Sequence, residues 1–436
     1  MPPYDFEKKE INFLVNTGFW GTGDVDADEQ SGDIIMDAVY MRNRNIEDRY
    51  NFEIKTILRP DDDADTMAAR EVMTGSRTYD AAFLNIYKAS PAAGQNVFCD
   101  LFGIPNINFG KYYWNQNAQR ELSIGRKLYC AVSDINMRNY EGTCVMAYNK
   151  KLEQDLGIEP IYPIVFGGKW TLDKLSSIIK EVWRDLDGDG VMGPEDFYGY
   201  ATQNDLYVGF IFGAGEGFAD KDEHDMPVVR PLTERFSNMI DRVAEIMENK
   251  NATINSSDFP ELYSDGVWYG NKAFIEDRAL FFGTMASMFK TLNAQMQSDF
   301  GILPMPKYDE NQEHYNTYLY SGATSVSVPN NLSGDELFFT GFVLEAMAAE
   351  SRRLLIPAYY EIAMKIKYAR DDESSRVLDM IFEHRSYDIT YINNFGGFWG
   401  GIWGKFRENT FNMASYYEST STAAELALEK YVNSFE

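Results

Sequence analysis

The first 90 residues alternate short apolar runs with helical periodicity, and no other feature of the chain restricts its fold so tightly. Ile11-Asn12-Phe13-Leu14-Val15 is an apolar run that stops at Asn16-Thr17-Gly18, and Asp33 to Tyr50 carries Ile35, Ala38, Val39 and Ile46 at helical spacing. Phe52 to Ile57 alternates like a half-buried strand. After Arg59-Pro60, Asp61-Asp62-Asp63 places carboxylates at the start of a helix running to Met73, and Tyr79 to Leu84 reads as the next strand. Strand and helix in strict turn predict a parallel sheet covered by helices, so this part of the chain is an α/β lobe.

A second α/β stretch opens at Cys144-Val145-Met146-Ala147-Tyr148. Thr171 is placed to cap a helix with Leu172, Leu175, Ile178, Ile179 and Val182 on one face, and Phe236, Met239, Ile240, Val243 and Ile246 mark another. A helix is expected at about 285–297, a strand at Ser325 to Val328, mostly helix from Asp335 to Phe382, and a last helix whose Thr422 and Glu425 have capping-box spacing. No internal repeat and no low-complexity linker separates these parts, so the lobes are joined by short crossovers.

Composition removes several functions. The 436 residues carry a net charge of −27, which repels nucleic acid, while 44% hydrophobic and 15% aromatic residues exclude disorder. No stretch has the 18 consecutive apolar residues that mark a membrane span, and Met1-Pro2-Pro3-Tyr4-Asp5 has neither region of a signal peptide, as expected of a chain that begins after a removed leader. Cys99, Cys130 and Cys144 have no zinc spacing and read as buried small hydrophobes, with one disulfide as the alternative. His224, His314 and His384 are far apart in polar contexts and read as surface residues.

Residues 185–196, Asp-Leu-Asp-Gly-Asp-Gly-Val-Met-Gly-Pro-Glu-Asp, have the spacing of a calcium loop. Asp185, Asp187 and Asp189 fall at positions one, three and five, Gly190 at the turn, the Val191 carbonyl at seven and Asp196 at twelve, where Asp replaces the usual Glu. The exit Phe197-Tyr198-Gly199-Tyr200 is not a second long helix, so the loop is read as a single structural Ca2+ site and not as a sensor, which depends on paired hands.

Aromatics beside glycines gather in segments read as loops: Phe19-Trp20, Trp268-Tyr269, and Gly396-Gly397-Phe398-Trp399-Gly400-Gly401-Ile402-Trp403. Such rings can stack on sugar faces while nearby Asn and Asp bond hydroxyls; the alternative for each ring is the core. Three further stretches carry a resemblance. Val145-Met146-Ala147-Tyr148-Asn149-Lys150-Lys151-Leu152 runs on through Gly157-Ile158-Glu159-Pro160 to Lys169-Trp170-Thr171-Leu172. The second is Ala273-Phe274 through Thr284 to Phe300-Gly301-Ile302-Leu303-Pro304-Met305-Pro306. The third, Ala358-Tyr359-Tyr360 through Arg370-Asp371, looks like the C-terminal helical region of lipoprotein members from Gram-positive bacteria. Together they resemble the extracellular solute-binding proteins of ABC importers, in the sugar-binding branch that includes maltose-binding protein.

The resemblance implies an α/β, two-lobed periplasmic-binding-protein-like fold with a ligand cleft between lobes joined by a multi-crossing hinge. One lobe would comprise 1–140 and 284–350, the other 141–283 and 351–436, with the hinge near 128–146 and further crossings near 283 and 350. Cleft-lining positions would be Phe19, Trp20, Asn85, Tyr87, Trp268, Gly283, Thr284, Trp399 and Trp403. The implied function is capture of a mono- or oligosaccharide by lobe closure, without turnover, and its delivery by a monomer to a membrane permease from a lipid anchor carried by the full-length precursor. A glycan-active enzyme and a calcium-dependent carbohydrate adhesion protein are the alternatives.

Overall fold

A computed structural model describes residues 2–18, 23–262, 269–359, 371–406 and 412–435. In chain order the strands are β1 (Lys9–Asn16), β2 (Phe52–Arg59), β3 (Ala81–Asn85), β4 (Cys144–Asn149), β5 (Tyr198–Thr202), β6 (Ala219–Lys221), β7 (Pro227–Val229), β8 (Thr253–Asn255), β9 (Ala279–Met285), β10 (Phe300–Leu303), β11 (Thr317–Tyr318), β12 (Thr324–Ser327) and β13 (Arg385–Ser386). They form a four-stranded sheet in the order β12-β3-β1-β2, a five-stranded sheet in the order β10-β4-β9-β5-β8, and the two-stranded pairs β11-β13 and β6-β7.

β1 is parallel to both β2 and β3, as the strand–helix alternation predicts. Lying inside the sheet, it buries both faces, which is why Ile11, Phe13, Leu14 and Val15 form a run and do not alternate. β2 is the edge strand: Phe52 and Ile54 are buried while Glu53 and Lys55 are exposed. The helices Ile34–Tyr50 and Asp61–Thr74 connect these strands, and the first packs against the helix Asp335–Ile356. In the five-stranded sheet β5 is parallel to β8 and β9, whereas β4 runs antiparallel to β9 and β10. Thr171 caps the helix Leu172–Val182 by accepting the Lys174 N–H at 3.2 Å.

The strand pairings place the crossovers. Ala131 still bridges Val326 of the first sheet and Cys144 opens β4 of the second, so the first crossing lies between them, within the expected 128–146. The return expected near 283 occurs later. β10 pairs with β4, so 284–303 stays with the second lobe, and the chain rejoins the first sheet only at Thr324. The physical reason is that β9 and β10 flank β4, giving that buried strand hydrogen-bond partners on both sides. A third crossing lies between the helix Asp335–Ile356, which packs on the first lobe, and the helix Asp372–Glu383, which packs on β10.

Two local expectations are corrected. The terminal helix spans Met413–Val432 with Asn412 as its cap, so Thr422 and Glu425 lie in its interior. The segment holding Trp399 and Trp403 is the helix Phe398–Phe406, launched from Gly396 and Gly397, both at positive φ, and not a loop.

Candidate functional site

In open α/β sheets ligands sit beyond the carboxyl ends of the strands, where loops are free to present side chains. β1 ends in Asn16 and β3 in Asn85. Both amides are buried: Asn16 donates to Asn85 Oδ1, Asn85 donates to the Gly322 carbonyl, and the Gly18 N–H returns to Asn16 Oδ1 at 2.8 Å. Asn85, expected as a ligand contact, is therefore a strut, 1% exposed, that ties two strand ends to the turn before β12. Tyr87, two residues on, is half-buried and lines a groove with Met73, Pro91 and Gln95; its N–H donates to Ser321 O at 3.0 Å.

The loop after β1 carries Asp24, 6% exposed, whose carboxylate accepts the Met137 N–H and the Asn136 amide at 3.4 Å. Glu141 lies close by and pairs with Arg138. Burial pushes the Glu141 carboxyl above its ordinary range, Asp24 adds to that push, and Arg138 and Lys290 oppose it. Lys290 lies on the helix Phe289–Gln295, which follows β9, so groups from both lobes meet here.

A second group stands at the end of β5. Asp205 keeps contact with solvent while enough protein surrounds it to push its pKa up, the combination expected of a carboxylate on a cleft wall. Burial pushes the Tyr318 and Tyr391 hydroxyls up, and the Asp205 charge adds to that push. Tyr391 packs tilted against Trp399 at 4.8 Å, Tyr318 meets Tyr391 edge-on at 5.2 Å, and the Tyr207 hydroxyl donates to the Trp399 carbonyl. The Trp399 indole N–H is shielded from solvent and has no acceptor among the described residues. Two groups thus stand apart from each other: Asp24 with Asn136 and Glu141 at the first crossing, and Asp205 with Tyr318, Tyr391 and Trp399 beyond the end of β5.

The other expected contacts separate. Gly283 is a packing position: a Cβ there would stand 2.2 Å from Tyr200 Oη, so glycine is what lets β9 lie against that ring. Thr284 is 5% exposed and sits in the β9–β4 ladder opposite Val145. Phe19, Trp20 and Trp268 lie outside the described residues, as does the Trp403 side chain. Sequence reasoning missed Asp24, Asn136, Asp205 and Tyr391, which belong to no motif: Asn136 reaches Asp24, and Asp205 acts on Tyr391, across long stretches of chain.

A cavity of about 360 Å³ lies where the helix Gln116–Leu122 meets β6, β7 and β13. Its charges are spoken for: Arg230 pairs with Glu216 and Asp220, Lys221 with Asp225, and Asp388 accepts the N–H groups of Phe218 and Ala219.

In the 185–196 loop, Asp185, Asp187 and Asp189 bring carboxylate oxygens within 4.8 Å of one another. Gly188 and Gly190, at φ +76 and +83, let the backbone curl so that their N–H groups reach Asp185 at 2.6 and 2.8 Å and hold its carboxyl below the ordinary range. Asp189 accepts the Val191 N–H at 2.7 Å. Asp196 stands outside this trio. It is 2% exposed and accepts the N–H groups of Leu186 and Gly193 at 2.8 and 2.7 Å, clasping the loop at both ends while each oxygen keeps a second lone pair. The paired Arg184 and Phe197 close the loop, and β5 follows as the exit. Three hard oxygen donors around one point fit a calcium ion.

Cys99, Cys130 and Cys144 are free, and burial pushes the Cys99 and Cys130 thiols up to about 12. Of the histidines read as scattered surface residues, His314 and His384 are in fact stacked at 4.2 Å, because the pairing of β11 with β13 brings their segments together. No helix among the described residues is long and apolar enough to cross a membrane.

No protein-family model and no curated protein matches the chain. Solved structures do. A cyclo/maltodextrin-binding protein complexed with maltotetraose is 14% identical, with 99% of this chain and 97% of that one covered at a TM-score of 0.60. An extracellular solute-binding protein from Staphylococcus aureus in complex with maltose is 13% identical, covering 98% and 96% at 0.62. An ABC substrate-binding protein from Listeria monocytogenes in complex with cycloalternan is 13% identical, covering 98% and 99% at 0.57. At such identities the likeness is one of fold, and it spans both lobes.

Proposed function

We propose that this chain, having the two-lobed fold of solute-binding proteins, captures a mono- or oligosaccharide in its inter-lobe space by lobe closure and delivers it to the permease of an ABC importer. The observation that carries the reading is that carboxylates and aromatic rings stand at the ends of the strands in both lobes, Asp24 at the first crossing and Asp205 with Tyr391 and Trp399 beyond β5. Carboxylates accept hydrogen bonds from sugar hydroxyls, aromatic faces pack on the apolar faces of pyranose rings, and a site made from two lobes is complete only when they close. The structures of like fold hold maltotetraose, maltose and cycloalternan, which supports a glycan as the cargo.

The protein binds without turnover, acts as a monomer outside the cell, and is tethered there by a lipid on the full-length precursor. The loop from Asp185 to Asp196 holds a structural calcium ion, with Asp185, Asp187 and Asp189 as ligands and the Val191 carbonyl and Asp196 completing the set. Titration calorimetry with a panel of maltose, maltotetraose, cycloalternan and other mono- and oligosaccharides, with chromatography of each mixture, tests the function. Saturable heat with the glycan recovered intact is expected. Released product makes the protein a glycan-active enzyme, and retention on glycan surfaces with no soluble ligand makes it an adhesion protein.

A further inference from the structure

Arg42, on the helix Ile34–Tyr50, is fully buried, yet its guanidinium is satisfied. Nη1 donates to the Ile135 carbonyl at 3.2 Å and to Ser351 Oγ at 3.3 Å, Nη2 donates to the Val25 carbonyl, and Nε donates to Asn43 Oδ1 at 2.9 Å. Asn43 reinforces the same loop, donating to Val25 O at 3.1 Å and to Asp26 Oδ1 at 2.9 Å. Burial brings the Arg42 pKa down to about 10 while Asp24 and Asp26 hold it up, so the cation persists at neutral pH. A buried cation is costly unless its donors are occupied. Here the partners are the points that matter to a two-lobed binder. Val25 follows Asp24 in the cleft loop, Ile135 precedes the Met137 N–H that Asp24 accepts, and Ser351 lies near the end of the helix before the third crossing.

We infer that Arg42 is the positioning residue of the ligand cleft: one guanidinium joins the carbonyls of Val25 and Ile135, and thereby fixes the Asp24 carboxylate against the first inter-lobe crossing. The inference rests on the solute-binding reading for its effect on affinity, but the coupling it describes exists without ligand. A planar fork reaches two carbonyls and a hydroxyl at once, which neither an ammonium nor an aliphatic chain can do.

Hydrogen exchange on the ligand-free protein tests the coupling. In Arg42→Met, amides of 135–141 should exchange at least tenfold faster while those of β1 and β9 keep their protection, and Arg42→Lys, which retains one donor site, should lie between. Acceleration spread evenly over the chain, or none at 135–141, overturns the inference and leaves Arg42 an ordinary core residue. On the tightest-binding member of the glycan panel, Arg42→Met should weaken binding about tenfold alone but less than threefold in an Asp24→Ala background. Additive losses also overturn it. If the wild-type chain binds no panel glycan, the solute-binding reading fails, and the exchange experiment still decides whether Arg42 couples the two segments.

Discussion

Gly283 shows how a single missing side chain sets the packing of the second sheet. Tyr200 is wholly buried beneath it and bonds Thr202 at 3.2 Å, so the ring has nowhere to retreat. Gly283→Ala should cost about 1–3 kcal/mol of stability by overpacking. Adding Tyr200→Phe should recover part of the loss, since the hydroxyl is the nearest atom to the new methyl. Thermal melts of the two variants check this, and an unchanged melt with lost glycan binding would return Gly283 to the cleft. The same position marks what was legible at this scale. The aspartates of the 185–196 loop declare themselves by spacing, and Thr171 by its place before an apolar period. Asn85 and Asp205 do not: each is one polar residue after a strand, and only burial separates the strut from the cleft wall.

At the scale of elements, periodicity located the helices and strands well because each buries one face or both. It misplaced the Phe398–Phe406 helix, whose glycines and tryptophans look like a loop until Gly396 and Gly397 are seen at its start. The 185–196 loop joins the helix Leu172–Val182 to β5, and its acidic ring carries repulsion that a cation would relieve. Calcium at about a hundred times its dissociation constant would add about 2.7 kcal/mol to stability. Wild-type protein should therefore melt higher in calcium than in chelator, and Asp187→Ala with Asp189→Ala should abolish the difference. A wild-type melt indifferent to calcium would contradict the site. A second inter-lobe element was invisible in the sequence. The turn between β6 and β7 docks on 123–126 through Lys221 to Ser123 Oγ at 2.8 Å and the Arg126 N–H to Asp225 Oδ2 at 2.9 Å. Its parts lie about a hundred residues apart and carry no motif.

For the whole molecule, the alternation of the first 90 residues predicts an α/β lobe, and that lobe is present with parallel β1, β2 and β3. Two lobes were readable because strand and helix signals recur after Cys144. The path between them was less so: the return to the first sheet comes at Thr324 and not at 284, since local patterns say which residues form strands but not which strands are neighbours. That path matters to function, because it lets Glu141, on the first crossing, feel both Asp24 of the first lobe and Lys290 of the far lobe. The central claim is closure around a bound glycan, and small-angle scattering during titration with the tightest-binding glycan tests it most directly. The radius of gyration should fall and saturate along the calorimetric binding curve; an unchanged radius at full saturation would contradict capture by lobe closure.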